Sequence, residues 1–436
     1  MSQRKLIVSL TVAVLLALTA GVSQASVARV EGMGLNIPIL SQFTDDYANI
    51  YWYPSSVVRQ NNLVLAELGN NPDGDVNPVS TFDQSYTVIR NFPRLGAIAF
   101  QMAQSQNDVL TASSNLNNEQ LDLIWGRAFS SFDFAVRLDI TNSSFEYSDN
   151  TPATFEAHGF DNSFDPYPFG AAFFEDAIVG QDVEINTYGI TPGIGLHFGE
   201  DDRFEAAVTY RRYTLSRTEG PAAGEEWEDG GNASYAVLAR AIMHRGGTHT
   251  WYPAAWYVND DLSWEVRGVT ATPRSADETY RNYGAGISDN MRVNDNNLLL
   301  WGVSVFQSKH HYERTDANDG VPAPGDTREL IEKTTMLPLV FAAIETEATS
   351  WLKIRVGASR GHHMERNEFT DFDTPAFTST EKTRLADFNL SLGTGIRFNN
   401  LDIDMTLNEQ FPLSGGWVLS GNEATPFNRV SATYHF

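Results

Sequence analysis

The chain has 436 residues, a formal net charge of −25, 12% aromatic residues and no cysteine. The lack of cysteine excludes disulfides, Fe–S clusters, thiolate zinc sites and cysteine nucleophiles, and the acidity works against nucleic acid as a partner. Beyond one apolar stretch near the start, no run of 18 or more apolar residues occurs, which excludes a helical membrane protein.

Residues 1–25 read as a secretory signal peptide. Arg4 and Lys5 form a basic start, Leu6 to Val22 is an uncharged apolar run, and Ser23-Gln24-Ala25 puts small residues at the −3 and −1 positions of a cleavage site. The apolar run is at the lower edge of what crosses a bilayer, so the expectation is cleavage near Ala25 rather than an anchor helix. No cysteine follows to carry a lipid.

Residues 26–93 are expected to form an N-terminal plug segment, with a first hairpin in its later part. The segment carries Gly32-Met33-Gly34 and then Asp45, Asp46, Tyr47, Ala48, Asn49, Ile50, Tyr51, Trp52, Tyr53, Pro54 and Ser55. Side chains such as Ile50, Tyr51, Trp52 and Tyr53 are not left in water, and packing them inside a wide barrel obstructs the lumen and gates it. A short periplasmic cap is the rival placement. The stretch resembles the start of FadL-type transporters of fatty acids and aromatic hydrocarbons and of their PorV-like relatives. The resemblance covers about 25 residues and implies a fourteen-stranded barrel with an N-terminal segment folded inside it. Tyr53 stands where the family has Asn, and Ser55 where it has Ala, so the resemblance speaks for barrel plus plug more than for a hydrophobic cargo.

Residues 94–436 read as an all-β, transmembrane, antiparallel up-and-down barrel. Alternation is the main signal. Phe132, Phe134, Val136, Leu138 and Ile140 interleave with Asp133, Arg137, Asp139 and Thr141. Phe388, Leu390, Leu392 and Ile396 interleave with Asp387, Asn389, Ser391 and Arg397, and Leu401, Ile403, Met405 and Leu407 with Asp402, Asp404, Thr406 and Asn408. Alternate side chains of a strand face opposite sides. A soluble sandwich also alternates, but the segments 132–148, 182–198, 297–314 and 351–368 exceed ordinary strand lengths. Connections alternate between short (130–131, 199–202, 246–248, 295–297, 349–350, 399–400) and long (105–119, 150–181, 219–232, 316–331, 370–381, 412–425, with a break near 269–278). Short periplasmic turns and long outer loops mark outer-membrane barrels, as do aromatic girdles. Fourteen strands follow from about Leu95 onward. Asn259-Asp260-Asp261 reads as a further turn in the least regular stretch, and residues 61–69 and 84–92 supply either a hairpin that raises the count to sixteen or a pair within the plug.

Arg137, Arg211, Arg355 and Arg397 sit at polar-face positions and are expected to line the lumen with Asp139, Asp387, Asp402 and Asp404. Facing charges of this kind either set the transverse field of a pore or stiffen the wall. His310-His311 and His362-His363 invite a metal. Neighbouring residues of a strand point to opposite faces and next-but-one strands are ~9–10 Å apart, so interfacial polar roles outweigh ligation and no metal is expected. Glu219, Glu225, Glu226, Glu228 and Asp229 make an acidic outer loop without the spacing of a calcium motif. No G-x-S-x-G, P-loop or H-E-x-x-H motif occurs, so neither an enzyme nor a cofactor is expected.

The chain ends on an alternating strand with Val430, Ala432, Tyr434 and Phe436 on one face. Tyr434 and terminal Phe436 resemble the signal that barrel-assembly machinery reads. The reading is an outer-membrane protein of a Gram-negative-type bacterium that passes small hydrophobic or amphiphilic compounds. Its partners would be outer-membrane lipids, lipopolysaccharide and the assembly machinery. A PorV-like component of a secretion or surface-attachment assembly and a general porin are the alternatives.

Overall fold

The computed structural model describes residues 26–35, 38–70, 82–107, 116–145, 183–199, 201–218, 225–229, 233–261, 263–268, 274–316, 327–371, 377–407 and 427–436. The signal-peptide expectation, the 150–181 connection and residues 219–224 of the acidic loop lie outside them.

Strands follow where the alternation leads. The first six are β1 (Leu63–Asn70), β2 (Phe82–Phe92), β3 (Gly96–Asn107), β4 (Leu116–Ala128), β5 (Phe132–Phe145) and β6 (Val183–His197). Next come β7 (Arg203–Thr218), β8 (Glu225–Asp229), β9 (Ala233–Arg245), β10 (His249–Asp261), β11 (Trp264–Gly268) and β12 (Arg274–Asn294). The last are β13 (Asn297–Asp316), β14 (Thr327–Thr349), β15 (Leu352–Asp371), β16 (Phe377–Phe398), β17 (Leu401–Leu407) and β18 (Phe427–His435). Each pairs antiparallel with its neighbours, and β1 pairs with both β2 and β18, which closes the sheet. Both β8 and β9 pair with β7, and both β10 and β11 pair with β12. Each of these two couples is one barrel strand with an interruption, so eighteen segments make a closed barrel of sixteen strands.

This corrects the count of fourteen. The added pair is β1 and β2, the hairpin that residues 61–69 and 84–92 offered as the route to sixteen; what left it undecided is the inner face of β1. Leu63 and Leu65 point inward and are fully buried, while Val64 and Leu68 are exposed on the outside. Glu67 is the one charge on the inner face of this strand, so β1 carries little alternation. The barrel therefore starts at Leu63, inside the stretch read as a plug and hairpin. Asn259 to Asp261 is no turn either: β10 runs through it in register with Arg281, Tyr280 and Thr279 of β12. The short connections gather at one end of the barrel and the long ones at the other.

The polarity of the wall is inverted relative to a soluble protein. On β5, Arg137 and Asp139 are buried, while Leu138 and Ile140 are exposed. On β17, Asp402, Asp404 and Thr406 are buried between half-buried Leu401, Ile403, Met405 and Leu407. Exposed aromatics cluster at the short-turn end: Phe92, Phe129, Phe198, Trp351, Phe398 and Phe436. Tyr188, Tyr210, Tyr235, Tyr257 and Tyr283 form a second exposed set farther along the strands.

Residues 26–35 and 38–60 lie inside the barrel, within its short-turn half. They form a helix, α1 (Val27–Gly32), and three 3₁₀ turns at Pro38–Phe43, Tyr47–Ile50 and Pro54–Arg59. Ser26 caps α1 by accepting from Arg29 N, and Asp46 caps the second turn by accepting from Ala48 N. Two apolar clusters join this inner segment to the wall. One links Met33, Leu35, Phe43, Trp52 and Tyr53 to β9, β10, β13 and β14. The other links Tyr47, Ile50, Tyr51 and Val57 to β1 through β5.

Candidate functional site

The candidate site is the barrel interior, where wall charges meet the backbone of the inner segment. Three anchoring stations stand out. On β4 and β5, Arg137 Nε donates to Asp122 at 2.7 Å, and its Nη1 donates to the Tyr51 carbonyl at 2.9 Å. On β7 and β9, Arg240 Nε donates to Glu205 at 2.7 Å, while its Nη1 donates to the carbonyls of Gln42 and Thr44 at 3.1 and 3.0 Å. Arg240 also stacks over the Tyr53 ring, 4.6 Å from its centroid. Glu205 receives two more guanidinium groups, from Arg59 at 3.0 Å and Arg203 at 3.3 Å.

The third station joins α1 to β14, β15 and β17. Glu345 accepts from Arg29 Nε at 2.7 Å and from Arg355 Nε at 2.6 Å. Arg355 Nη1 lies 2.8 Å from Asp404, which in turn accepts from the Ser26 hydroxyl at 2.9 Å. Beside it, Glu67 of β1 accepts from Val27 N at 2.9 Å, the Tyr47 hydroxyl at 2.8 Å and the Ser431 hydroxyl at 3.0 Å. A buried charge is tolerated where it is paired and hydrogen-bonded. Here that condition ties each wall charge to a fixed place on the inner segment.

Close approach does the rest. Gly34 has φ +75, a conformation that favours glycine, and sits against Gly357 of β15. A Cβ added to Gly357 would lie 1.9 Å from the Met33 carbonyl oxygen, and one added to Gly32 would lie 2.9 Å from Gly393 Cα. Backbone meets backbone here because neither side carries a side chain.

Of the residues expected to line the lumen, Arg137, Asp139, Arg211, Arg355, Asp402 and Asp404 are all buried inside the barrel. Arg211 lies 2.8 Å from Asp139, and Arg397 donates to Asp402 at 2.9 Å. The side chain of Asp387 lies outside the described residues; its backbone pairs with Gly361. In the inner segment, Asp46, Ile50, Tyr51, Trp52, Tyr53 and Pro54 are buried, whereas Asp45 is exposed and pairs with Arg59 at 2.9 Å. Sequence reading missed Glu67, Asp122, Glu205, Arg240 and Glu345. Each occupies an inward position of its strand, so listing every inward charge, not only four arginines and four aspartates, would have found them.

One side of the interior is apolar. Trp256 and Val258 on β10, Phe306 on β13, and Met336, Leu339 and Phe341 on β14 are buried and continuous with Phe43 and Trp52 of the inner segment. The Phe43 and Phe341 rings are 5.4 Å apart. This patch breaks the charged character of the rest of the wall.

The histidine pairs go separate ways. His310 lies 3.1 Å from Glu332 and His363 3.2 Å from Glu365, both on buried inward positions. His311 lies 2.9 Å from Glu329, and with Glu313 these residues bring ligand atoms within 4.8 Å of one another. The trio sits on neighbouring strands, a juxtaposition that inspection of the His-His pairs overlooked. The β8 part of the acidic loop pairs with β7 and β11, and its side chains lie outside the described residues. Tyr434 is half-buried and Phe436 exposed, with the Arg90 guanidinium 5.2 Å from the Phe436 ring centroid.

No protein-family model matches the chain, and no curated protein matches its sequence. Solved structures of similar shape include a Pseudomonas aeruginosa FadL homologue, at TM-score 0.47 and 11% identity, covering 96% of this chain and 100% of that one. The ferric-catecholate import receptor Fiu of E. coli K12 matches at TM-score 0.38 and 8% identity over 86% of this chain and 82% of its own. The alcaligin outer-membrane receptor FauA of Bordetella pertussis matches at TM-score 0.37 and 8% identity over 87% and 76%.

Proposed function

We propose that this barrel sits in the outer membrane of a Gram-negative-type bacterium and passes small hydrophobic or amphiphilic solutes passively through its lumen. Residues 26–60 act as the plug that gates it, and residues 1–25 as the export signal. The observation that carries the reading is the inner apolar face of β10, β13 and β14, which meets the inner segment at Phe43 and Trp52. An apolar solute gains by leaving water for such a face, whereas the charged remainder of the wall offers it nothing.

The membrane location rests on the inverted wall. A closed ring of strands satisfies every backbone hydrogen bond without water, and its exposed apolar side chains find a solvent in lipid. Tyr188 of β6 stands ten positions from Phe198, the residue just past that strand's end; at about 3.3 Å per residue and a tilt of about 40°, that spans about 25 Å, the height of an outer-membrane barrel's apolar band. The resemblance of residues 32–55 to FadL-type transporters points the same way.

The test is deletion of residues 26–60 with the export signal kept. Single-channel conductance in planar bilayers rises several-fold if the segment is a plug, and unchanged conductance sinks that part of the reading. Entry of a hydrophobic fluorescent solute into proteoliposomes rises with it; ion flux without solute flux would point to a porin instead.

A further inference from the structure

The outer face of β13 to β16 differs from the rest of the wall. Lys309 pairs with Lys333, Lys333 with Arg366, and Arg366 with Lys382. Four cations thus stand side by side across four neighbouring strands, in a chain with 55 acidic and 30 basic residues. Like charges directly opposite one another destabilise a sheet. The row faces outward: Lys309 shares its parity with exposed Val305 and Trp301, and the His310 between Lys309 and His311 is buried. Arg366 reaches Glu368 on its own strand. Lys309, Lys333 and Lys382 form no ion pair with any described residue. The next outward row toward the short turns adds Arg384 opposite Met364; the next toward the long loops holds His311, Ile331, Glu368 and Thr380.

Nearer the short turns on the same face lies a groove of about 380 Å³ lined by Pro338, Val340, Ala342, Ala358 and Phe388. It opens where β14 slips its register between Met336 and Leu339, a bulge that takes in Pro338, which has no N–H for the ladder. Arg360 and His362 line the long-loop part of this groove. Arg360 is exposed and stands in register between Val340 and Phe388. An arginine on the lipid face is costly unless an anion meets it, and it forms no ion pair with any described residue.

Along β15 the order from the short turn is therefore apolar Ala358, then Arg360 and His362, then Arg366 in the cationic row. That order suits a lipid with a phosphate at its head and further acidic groups beyond it. We propose that this face binds a single lipopolysaccharide of the outer leaflet: an acyl chain in the groove, a lipid A phosphate at Arg360 and His362, and the acidic groups of the inner core along Lys309, Lys333, Arg366 and Lys382. Guanidinium and ammonium groups hold phosphate and carboxylate by charge-assisted hydrogen bonds. The assignment rests on the outer-membrane reading, with the long loops outside, and is independent of what the lumen carries.

The experiment uses the processed full-length protein, extracted in mild detergent from the outer membrane of a rough strain and weighed by native mass spectrometry. The wild type retains one lipopolysaccharide. Arg360→Ala and the outward-facing double change Lys333→Gln with Arg366→Gln each lower that occupancy roughly tenfold, as does filling the groove with Ala358→Trp. Lys353→Gln, at the opposite end of the barrel, leaves it unchanged. Heat-modifiable migration on gels reports folding, so a misfolded variant is set aside and the remaining ones decide. A folded wild type with no bound lipopolysaccharide overturns the site, as does equal retention of phosphatidylglycerol, or variants that bind like the wild type. A barrel absent from the outer-membrane fraction would instead defeat the location on which the site rests.

Discussion

Arg29 of the inner segment and Glu345 of β14 form a two-point contact, with Nε donating to Oε2 at 2.7 Å and Nη2 donating to Oε1 at 3.0 Å. The same Glu345 also holds Arg355. One wall carboxylate therefore fixes both a wall cation and the first turn of the inner segment. Removing one member of a buried pair leaves the other uncompensated, at about 3–5 kcal/mol. Glu345→Gln is expected to lower resistance to thermal unfolding by that order and to raise channel conductance, because Arg29 loses its anchor. Thermal melts followed by gel migration, with bilayer recordings on the same preparation, check both effects.

Gly357 offers a test that leaves the charges untouched. A side chain there collides with the Met33 carbonyl oxygen, and the wall is the stiffer partner. Gly357→Val is expected to displace α1 at a cost of about 1–3 kcal/mol and so to raise tryptic cleavage after Arg29 roughly ten- to hundredfold. N-terminal sequencing of the fragments reads it; cleavage at the wild-type rate would mean that the segment does not press on β15.

Asp46 makes the inner segment sensitive to pH. Burial pushes its carboxyl up to about 8, against the pull of Arg29 and the Ala48 N–H, and Glu67 and Asp404 add to the rise. The folded form thus holds a proton that the unfolded chain, with an ordinary value near 3.8, gives up. Stability falls wherever the folded state binds more protons. The contribution of Asp46 is complete below pH 3.8, declines as pH rises, and is gone above about 8. Conductance is expected to climb across that window and then level off. Asp46→Asn keeps an oxygen for the Ala48 N–H and should flatten the profile. A variant with the wild-type pH dependence would assign the titration to another group.

Phe306 tests the apolar route. It stands on the inner face with Trp256, 6.4 Å between ring centroids. Phe306→Ser removes apolar surface and adds a polar group at about 2–3 kcal/mol. Uptake of a hydrophobic solute by proteoliposomes should fall roughly tenfold or more, while migration on gels stays that of a folded barrel. Normal uptake would move the route away from β13.

The facing of side chains was legible in residues 132–140 and 401–407 because alternation is a local property of extended backbone, present before any partner is chosen. It gave the all-β barrel, its long strands, most of its short turns and the inward arginines. It was weak at β1, where Leu63 and Leu65 pack on the inner segment and Glu67 is the one charge on the inner face. It left fourteen and sixteen strands both open, since closure depends on Leu63 meeting His435 at the far end of the chain.

Register and containment are non-local, and no window of residues encodes them. Arg240 and the Gln42 carbonyl are 198 positions apart, and Ser26 and Asp404 are 378. Their meeting requires the barrel to close around the inner segment, so that unpaired buried groups on one find donors and acceptors on the other. Likewise Lys309, Lys333, Arg366 and Lys382 are unremarkable singly; hydrogen-bonded register alone sets them in one row.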